Sequence, residues 1–243
     1  MFRMVLCCLF VFGALSILLV YVTPPAVHIG KVTFLGHTMF AGLGVLLLLE
    51  GCLFLLYVKY GKFRHRELML SLHFWKGNEQ VLDVGCGRGL LLVGAAKRII
   101  ALQDNVAGSN GRGHCTGIDI WSTEDMGGNS EASTHHNLEL EGVTSICTLM
   151  GVPAQEMPFP DGSFDVIVSN LCLHNIYDAV ERAEALAEIA RVLRPGGVAL
   201  LSDYKLTRQY AKKLKAMGLT VERKMGNVLA TFPPLAVVIA RKP

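Results

Sequence analysis

The feature of this chain that most constrains its fold is a short glycine run between two apolar segments. Val81–Val84 is apolar apart from Asp83 and is typical of a buried parallel strand. Gly85–Gly89 reads Gly-Cys-Gly-Arg-Gly, and Leu90–Ile100, which follows, has the pattern of a helix. Glycine lets a backbone turn sharply and approach a ligand closely, while the first amides of a helix favour an electronegative group. The sequence therefore predicts a ligand site at the glycine turn.

The spacing of the glycines separates two classes of cofactor. A dinucleotide fingerprint, G-x-G-x-x-G, would need a further glycine at position 90 or 92. Leu90 and Leu92 occupy those positions, and the observed order from Asp83 to Gly89 is D-x-G-x-G-x-G. A nicotinamide-dependent dehydrogenase therefore remains only as a third alternative, which titration with nicotinamide cofactors would check.

A second acidic residue follows the next apolar stretch. Cys115–Ile120 is predicted to be a strand, with Asp119 near its carboxyl end and Ile120 beside it. A carboxylate in this place is suited to accept two hydrogen bonds from ribose hydroxyls. The polar, glycine-rich segment Gln103–Gly113 is predicted to be a surface loop, which accounts for the long spacing between the glycine turn and Asp119.

Three segments together resemble one enzyme family. Val81–Gly89 resembles motif I of the class I S-adenosylmethionine-dependent methyltransferases, in the methyltransferase type 11 or UbiE-like group that acts on small molecules and lipids. Ala154–Ser169 resembles the segment that runs from the adenine pocket into the fourth strand. Glu188–Val198 resembles the family's Arg-Val-Leu-Lys-Pro-Gly-Gly signature. The resemblance covers about residues Gln80–Pro243.

The resemblance implies a fold and a cofactor. The fold is an α/β, Rossmann-like, seven-stranded and mostly parallel sheet with helices on both faces, closed by an antiparallel strand at Val237–Ala240. The cofactor is S-adenosyl-L-methionine, with Asp83 near its amino group and Asp119 at its ribose. The residues expected around the cofactor are Asp83, Gly85, Cys86, Gly87, Gly89, Asp119, Ile120, Ala154 and Asn170.

One position departs from the family's pattern. The family usually has Gly-Asp before the residue that corresponds to Ala154, and that aspartate bonds the adenine amine, whereas this chain has Val152-Pro153. Adenine recognition is therefore expected to rely on backbone groups near Ala154 or on Gln155. The departure also supports an alternative function, namely a non-catalytic membrane-anchored protein that retains the cofactor-binding fold.

The candidate catalytic residues follow the fourth predicted strand. Asn170 and His174 are expected at the carboxyl edge of the sheet, where open parallel sheets bind ligands. A sulfonium methyl is already electrophilic, so the protein's main tasks are to orient the nucleophile and exclude water. His174 is the candidate base for an acceptor that must lose a proton, with a structural role as its alternative. Asn170 is expected to face the methyl-transfer zone, and Cys172 to be a buried, inert thiol.

The first 60 residues carry two long apolar segments. Met4–Val22 has one clearly polar side chain, Ser16, and about 20 apolar residues cross a bilayer as a helix. A second stretch, Phe34–Val58, is long enough to cross again. We therefore expect a transmembrane hairpin in residues 1–60, with spans at about 4–22 and 36–58. A cleaved signal peptide is the main alternative, although its apolar region is usually roughly 7 to 15 residues long.

The charges after the second segment predict the orientation of the chain. Lys59, Lys62, Arg64 and Arg66 follow that segment, and basic residues beside a membrane helix stay on the cytoplasmic side. We therefore expect a multi-pass membrane protein of two spans, with its catalytic domain in the cytosol.

Residues 61–78 are predicted to form a connecting amphipathic helix, and residues 79–243 to form the cofactor-binding domain. Leu68, Met69, Leu72 and Trp75 recur at helical spacing in this connection. The apolar face of the helix either packs against the domain that follows or lies in the membrane interface.

Composition argues against several other partners. The formal net charge of +3, without a stripe of basic residues, argues against nucleic acid. The seven cysteines include no C-x-x-C pair and are expected to be reduced thiols. His135 and His136 fall on a predicted solvated helix face without ligand-spaced partners, so no metal site is expected.

The sequence thus predicts methyl transfer from S-adenosylmethionine to a small-molecule or lipid acceptor at the cytosolic face of a membrane. A tethered enzyme meets lipophilic molecules at raised local concentration, which favours a lipid, quinone or sterol-like acceptor. A soluble amine or thiol acceptor remains open, because no motif names the acceptor.

Overall fold

The computed structural model describes residues 2–29, 32–103, 112–122, 127–226 and 231–243. The backbone forms two compact units, Met1–Gly61 and Lys62–Pro243. The first contains the two apolar segments, and the second contains the glycine turn and the strands that follow it.

The first unit is built on two long apolar helices, α1 (Phe2–Val22) and α2 (Gly36–Leu56). Both are long and apolar enough to cross a membrane, by length and composition alone. Between them β1 (Val27–Ile29) pairs antiparallel with β2 (Val32–Phe34), where the sequence predicted only a turn. Valine and isoleucine favour extended backbone, which accounts for these strands. After α2 the chain makes a π-helical turn, Tyr57–Gly61.

Glycines let α1 and α2 pack closely. A Cβ at Gly44 would lie 2.5 Å from Ile17 Cγ1, and one at Gly13 would lie 2.9 Å from Leu48 Cγ. Neither position has room for a side chain without a shift of its neighbour. Small residues at a helix interface bring two backbones together, as is common between helices in apolar surroundings.

The second unit alternates strands and helices, as an α/β domain requires. Its helices are α3 (Lys62–Leu70), α4 (Leu90–Gln103), α5 (Glu131–Leu140), α6 (Ala179–Val192) and α7 (Thr207–Ala216). Its strands are β3 (Gln80–Val84), β4 (His114–Ile118), β5 (Cys147–Met150), β6 (Phe164–Asn170), β7 (Leu193–Asp203), β8 (Thr220–Met225) and β9 (Ala236–Arg241). Single 3₁₀ turns occur at Thr144–Ile146 and Leu173–Asn175.

Within the described residues, the strands of the second unit form one seven-stranded sheet in the order β5-β4-β3-β6-β7-β9-β8. Neighbours among β3 to β7 are parallel, and β9 runs antiparallel to both β7 and β8. The strand order switches direction between β3 and β6, and open α/β sheets bind ligands at the carboxyl edge beside such a point. The predicted Rossmann-like sheet with an antiparallel closing strand is confirmed.

Side chains along the strands alternate between two apolar cores. Val166 and Val168 of β6 pack in the core that includes side chains of α3 and α4. Ile167, between them, packs in the core that includes side chains of α6 and α7. This period of two is the pattern of a strand buried on both faces, so helices cover both sides of the sheet.

The connecting helix is shorter than the predicted range 61–78, because α3 ends at Leu70. The Trp75 indole N–H donates to the Leu70 carbonyl at 2.7 Å, which satisfies an acceptor that the helix end leaves free. The Glu79 carboxylate then accepts the backbone N–H groups of Lys76 and Gly77. These local hydrogen bonds fold the residues after Leu70 into a turn instead of further helix.

Two other boundaries differ from the prediction. β4 ends at Ile118, so Asp119 and Ile120 follow the strand instead of ending it. In the predicted loop Gln103–Gly113, Gln103 still belongs to α4, and residues 104–111 lie outside the described residues.

Candidate active site

The glycine turn lies at the carboxyl end of β3. Its three glycines have positive φ, +69° at Gly85, +50° at Gly87 and +82° at Gly89, a conformation that L side chains rarely adopt. The Gly85 N–H donates to the Ile118 carbonyl at 2.8 Å, which fixes the turn to β4. A Cβ at Gly85 would lie 2.0 Å from Cys172 Sγ, so a side chain has no space there. The backbone of the turn is therefore bare, as close approach by a ligand requires.

Asp119 binds the glycine turn directly. Its Oδ2 accepts the Gly87 N–H at 2.8 Å, and its Oδ1 accepts the Trp121 N–H at 2.6 Å. The side-chain amide of Asn129 also donates to Oδ1, at 3.4 Å. Asp119 is only partly buried, so a ligand hydroxyl can reach it. The two parts of the predicted cofactor site thus meet at one place.

Asp83 lies at the end of β3 and is 2% exposed. Its Oδ2 accepts the Leu92 N–H, in the first turn of α4, at 2.9 Å. Burial raises the pKa of Asp83 to about 7; the Leu92 hydrogen bond opposes the shift, and the Asp119 carboxylate adds to it. Asp83 therefore titrates near neutral pH, and a cation beside it would favour its ionised form.

Two thiols at the site are unreactive, of which Cys86 is buried and Cys172 is half-buried. Cys86 Sγ lies against Gly117, where a Cβ would be 2.9 Å away, so Cys86 offers a ligand only its backbone. Burial raises the pKa of Cys86 far above its usual range and the pKa of Cys172 to about 12, and nearby aspartates add to both shifts. Because the thiolate is the reactive form, neither thiol is a nucleophile at neutral pH.

Two residues that support the turn were not found from the sequence. Thr134, on α5, donates its hydroxyl to the Gly87 carbonyl at 2.5 Å, and the Trp121 indole N–H donates to Thr134 Oγ1 at 3.3 Å. Asn129 is 6% exposed, and its Oδ1 has no hydrogen-bond partner among the described residues. Neither Asn129 nor Thr134 follows a strand, so no local pattern pointed to them.

Asn170 ends β6 and pairs in register with Ser202 of β7. Its Oδ1 is buried, and within the described part of the chain it has no hydrogen-bond partner. A buried acceptor is costly to leave unpaired, and a ligand that donates a proton to it would remove that cost. The next residue, Leu171, has a φ of +56°, where the chain turns away from the strand toward His174.

His174 lies in the 3₁₀ turn after β6 and faces Asp203, the last residue of β7. Its Nδ1 is 2.8 Å from Asp203 Oδ1, an ion-pair distance, although Nδ1 makes no hydrogen bond among the described residues. Its backbone N–H donates to Asp203 Oδ2 at 3.2 Å. The side chain of His174 is 12% exposed and that of Asp203 is 1% exposed. The Tyr204 ring meets the imidazole edge-on, with the centroids 4.7 Å apart. Since the carboxylate faces Nδ1, Nε2 is the nitrogen left to meet a ligand.

Asp203 was missing from the predicted site. Besides its contacts with His174, it accepts the Tyr204 N–H at 2.9 Å and the Tyr210 hydroxyl at 3.2 Å. Burial, and then the Asp203 carboxylate, raise the pKa of the Tyr210 phenol, which therefore stays a hydrogen-bond donor. The sequence did carry a signal: Asp203 follows the apolar run Val198–Leu201, as Asp119 follows β4.

Ile120 and Ala154 have less defined surroundings than the rest of the predicted site. Ile120 is 66% exposed, directly after Asp119. Ala154 and Val152 follow β5 and pack against the core on the α6 side of the sheet. The Gln155 amide donates to Glu181 at 3.3 Å. The assignment of these residues to an adenine pocket stays a prediction.

Partly exposed apolar side chains surround the chain near His174. Tyr177 is 82% exposed, Val180 is 66% exposed and Tyr204 is 44% exposed. Arg182 steadies this region from α6, because its Nη1 donates to the Ile176 carbonyl at 2.5 Å. Of these side chains, Tyr204 contacts the His174 ring and gives this part of the site an exposed aromatic border.

These residues fit a cationic nucleoside. S-adenosylmethionine carries a sulfonium, an ammonium group and two ribose hydroxyls, all of which favour nearby carboxylates. Asp83 and Asp119 supply two carboxylates, the turn Gly85–Gly89 supplies bare backbone, and Asn170 supplies an unpaired acceptor. The fit requires no metal, and among the described residues no three His, Cys, Asp or Glu side chains group as metal ligands do.

Comparison with known proteins agrees with this chemistry. Residues 82–201 match the family model of a methyltransferase domain. A probable methyltransferase, ltbC, from Aspergillus luteorubrus is 30% identical over 137 residues, which are 56% of this chain and 44% of that protein. The ubiquinone/menaquinone biosynthesis C-methyltransferase UbiE of Vibrio parahaemolyticus is 29% identical over 154 residues, which are 63% of this chain and 52% of that protein. This chain thus spans about half the length of the curated relatives it matches.

The fold also occurs in solved methyltransferase structures. The N-methyltransferase NodS from Bradyrhizobium japonicum, in complex with S-adenosyl-L-homocysteine, is 16% identical with a TM-score of 0.53, covering 74% of this chain and 86% of that chain. At such identity the likeness shows the fold alone. The family match, the fold and the site geometry together support an S-adenosylmethionine-dependent methyltransferase domain in the second unit, which is similar to these proteins over residues 82–201.

Proposed function

We propose that this protein transfers the methyl group of S-adenosylmethionine to a small-molecule or lipid acceptor at the cytosolic face of a membrane. The observation that carries the proposal is the contact between Asp119 and the glycine turn, 2.8 Å from Oδ2 to the Gly87 nitrogen. A carboxylate at this place suits ribose hydroxyls, and bare backbone suits the rest of the nucleoside.

We assign cofactor binding to the carboxyl ends of β3 to β6. Asp83 is proposed to lie near the cofactor's ammonium group, and Asp119 at the ribose. Ile120 and Ala154 are proposed to border the adenine. The backbone contacts are assigned to Gly85, Cys86, Gly87 and Gly89, with Asn170 facing both cofactor and acceptor.

The chain's own part in the chemistry is to position the acceptor. When bound, the cofactor supplies an electrophilic methyl group. Asn170 is proposed to orient the reacting group through its unpaired Oδ1, and His174 to take a proton where the acceptor must lose one. The buried surroundings of both residues help to exclude water, which would compete for the methyl group.

The first unit is proposed to be a membrane anchor with spans at about 4–22 and 36–58. α1 and α2 are each 21 residues long, and their outer faces expose large apolar side chains such as Phe12, Leu18 and Leu46. A continuous apolar surface of this kind favours lipid over water. Alkaline carbonate treatment of membranes tests the proposal: the full chain should stay in the pellet, and its release would contradict an integral anchor.

A lipophilic acceptor is favoured on three grounds. The exposed Tyr204 ring beside His174 would contact an apolar molecule, and a membrane anchor would raise the local concentration of acceptors dissolved in lipid. The Vibrio relative is named for the biosynthesis of quinones, which are lipophilic molecules. Small soluble acceptors would be distinguished from lipids by the experiment below.

The proposed activity is tested with the full chain in detergent. Calorimetry should detect binding of S-adenosylhomocysteine, which Asp119→Asn weakens and Glu222→Gln, at an exposed residue of β8, leaves unchanged. The protein is then incubated with methyl-labelled cofactor and a cellular extract, and the labelled product is partitioned between solvent and water. Label in the organic phase supports a lipid acceptor, and label in the aqueous phase supports a soluble one.

The non-catalytic alternative gives a different result in the same experiment. Val152-Pro153, in place of the family's Gly-Asp, is the feature that favours it. Tight binding of S-adenosylhomocysteine without transfer to any compound in the extract would support a binding protein. Absence of binding would defeat both functions.

A further inference from the structure

We infer that Asp203 is a positioning residue, which holds His174 in the tautomer with Nε2 free to take a proton, and that the acceptor therefore reacts through an ionisable hydroxyl group. This inference rests on the proposed function and adds the chemical class of the acceptor. A neutral amine needs only orientation before it attacks a methyl group, whereas a hydroxyl needs a base within hydrogen-bond reach. A thiol also has a proton to lose, but its pKa of about 8.5 lies closer to neutral pH than that of a phenol, about 10, so a hydroxyl depends more on the base.

Asp203 contacts both the ring and the backbone of His174. One carboxylate oxygen lies 2.8 Å from Nδ1, and the other accepts the His174 backbone N–H at 3.2 Å. Nδ1 makes no hydrogen bond among the described residues, so the effect of this contact is electrostatic: a carboxylate 2.8 Å away favours the imidazole tautomer with the proton on Nδ1. Nε2 then carries a lone pair, which is what a general base requires.

The remaining partners of Asp203 keep its carboxylate in place. The Tyr204 N–H and the Tyr210 hydroxyl both donate to it, at 2.9 and 3.2 Å. Asp203 is therefore a buried acceptor held from β7 and α7, and its ion-pair partner within the described residues is His174.

Other titratable and charged groups face this pair from the neighbouring elements. Cys172 precedes His174 in the same loop, and burial raises the pKa of its thiol to about 12, so the thiol is neutral. Arg182 of α6 lies near enough to Tyr210 to favour its ionised form, although burial of the phenol outweighs this effect. The Lys205 ammonium lies 5.3 Å from the centroid of the Tyr204 ring. None of these groups takes the place of Asp203 at Nδ1.

The step balances with the residues named. The acceptor hydroxyl gives its proton to Nε2 of His174, and its oxygen forms a bond to the methyl carbon. The carbon–sulfur bond breaks, and its electron pair stays on sulfur. The products are a methyl ether, S-adenosylhomocysteine and a protonated His174, whose positive charge the Asp203 carboxylate stabilises.

The tautomer is measured by nitrogen-15 NMR of histidine-labelled full chain in detergent at pH 8, without cofactor. The signal of His174 is assigned by its absence in His174→Gln. Wild type should show Nδ1 protonated and Nε2 bare, and Asp203→Asn should let the Nε2–H tautomer appear. An unchanged tautomer in Asp203→Asn would overturn the positioning role.

The acceptor class is tested with 4-octylphenol and 4-octylaniline, which differ only in the nucleophilic group. Wild type should methylate the phenol faster than the aniline. His174→Gln should lower kcat by about 100-fold or more, with KM nearly unchanged. Asp203→Asn should lower kcat by at least about tenfold, and Tyr210→Phe by a few-fold. His136→Gln, at an exposed histidine of α5, is the matched control.

Two kinetic outcomes would overturn the inference. The first is methylation of the aniline as fast as the phenol. The second is a His174→Gln variant that methylates the phenol at the wild-type rate. If neither probe is methylated, the tautomer measurement decides alone. Affinity for S-adenosylhomocysteine within about twofold of wild type shows that Asp203→Asn has folded, since a loss of the carboxylate from the acceptor side should not change cofactor contacts. Absence of that affinity in wild type would defeat the proposed function while leaving the tautomer result intact.

Discussion

The cofactor side and the acceptor side of this site are built in different ways. On the cofactor side, hydrogen bonds join the turns that follow two consecutive strands, β3 and β4, as between Asp119 and Gly87. On the acceptor side, His174 depends on Asp203, 29 residues later and on another strand. The proposed cofactor side is made of bare backbone and two carboxylates, the buried Asp83 and the half-buried Asp119, whereas the proposed acceptor side depends on the contact between His174 and the buried Asp203.

The difference follows from what each side has to bind. A cofactor of fixed shape needs a fixed turn, and glycines with positive φ provide it locally. An acceptor needs a group that can take a proton, whose orientation depends on packing from several elements. Substitutions on the cofactor side should therefore change affinity for S-adenosylhomocysteine, and substitutions on the acceptor side should change kcat.

The largest effect is expected at the first glycine of the turn. Gly85→Ala would place a Cβ 2.0 Å from Cys172 Sγ in a backbone with a φ of +69°. Overpacking and left-handed backbone together should lower stability by about 3 kcal/mol and affinity for S-adenosylhomocysteine by at least about 100-fold. Thermal unfolding and calorimetry measure the two effects.

The matched control is Gly142→Ala, which has the same φ of +69° but no atom within 4 Å of the added Cβ. It should cost only about 1 kcal/mol and leave affinity unchanged. If Gly142→Ala lowers stability as much as Gly85→Ala does, the clash with Cys172 is not the cause.

A smaller loss is expected when the ribose carboxylate is neutralised. Asp119→Asn keeps the shape of the side chain but removes the charge that strengthens hydrogen bonds to a ligand hydroxyl. Hydrogen bonds to charged groups contribute about 1.5–3 kcal/mol, so affinity for S-adenosylhomocysteine should fall roughly 10-fold to 100-fold by calorimetry. Unchanged affinity would show that the ribose does not bind Asp119, and the two sides would then not differ in the way described above.

Binding should also depend on pH through Asp83. Burial raises the pKa of Asp83 to about 7, so below this pH the free protein must release a proton before the carboxylate meets the ammonium group of the ligand. Affinity for S-adenosylhomocysteine should therefore fall by about fivefold from pH 7 to pH 6 and level off above pH 8. Asp83→Asn should make the affinity independent of pH over this range. If the affinity of this variant still falls with pH, a group other than Asp83 binds the proton.

The smallest effect is expected at the residue that touches both sides. Cys172→Ala removes the sulfur beside Gly85 without adding volume, and the thiol it removes is neutral. Stability should fall by about 1 kcal/mol, and kcat and affinity for S-adenosylhomocysteine should each change by no more than about threefold. A loss of kcat near 100-fold would show that Cys172 takes part in the chemistry.

The cofactor side could be predicted because its signals are local. Asp83, Gly85 and Gly87 lie in one short motif, and Asp119 could be recognised from its place after an apolar strand. The seven-stranded, mostly parallel sheet and its antiparallel β9 followed from the family resemblance. The hydrogen bond from Thr134 to Gly87 could not be foreseen, because it joins a helix face to a turn 47 residues earlier.

The acceptor side was predicted only in part. His174 and Asn170 were recognised from their place after the fourth strand, but the partner of His174 was not. Asp203 could have been found by applying to β7 the same argument that found Asp119 after β4. The ending of α3 at Leu70 was missed because apolar spacing continues to Trp75, whose indole turns back to bond the helix end.

The contact between Cys172 and Gly85 makes the two binding events interdependent. Any ligand that displaces the turn must also press on the loop carrying His174, two residues further along the chain. By thermodynamic reciprocity, an acceptor that displaces this loop alters the affinity of the turn to the same degree. Saturation curves for one ligand should therefore change with the concentration of the other, and the enzyme should favour an ordered ternary complex over independent binding.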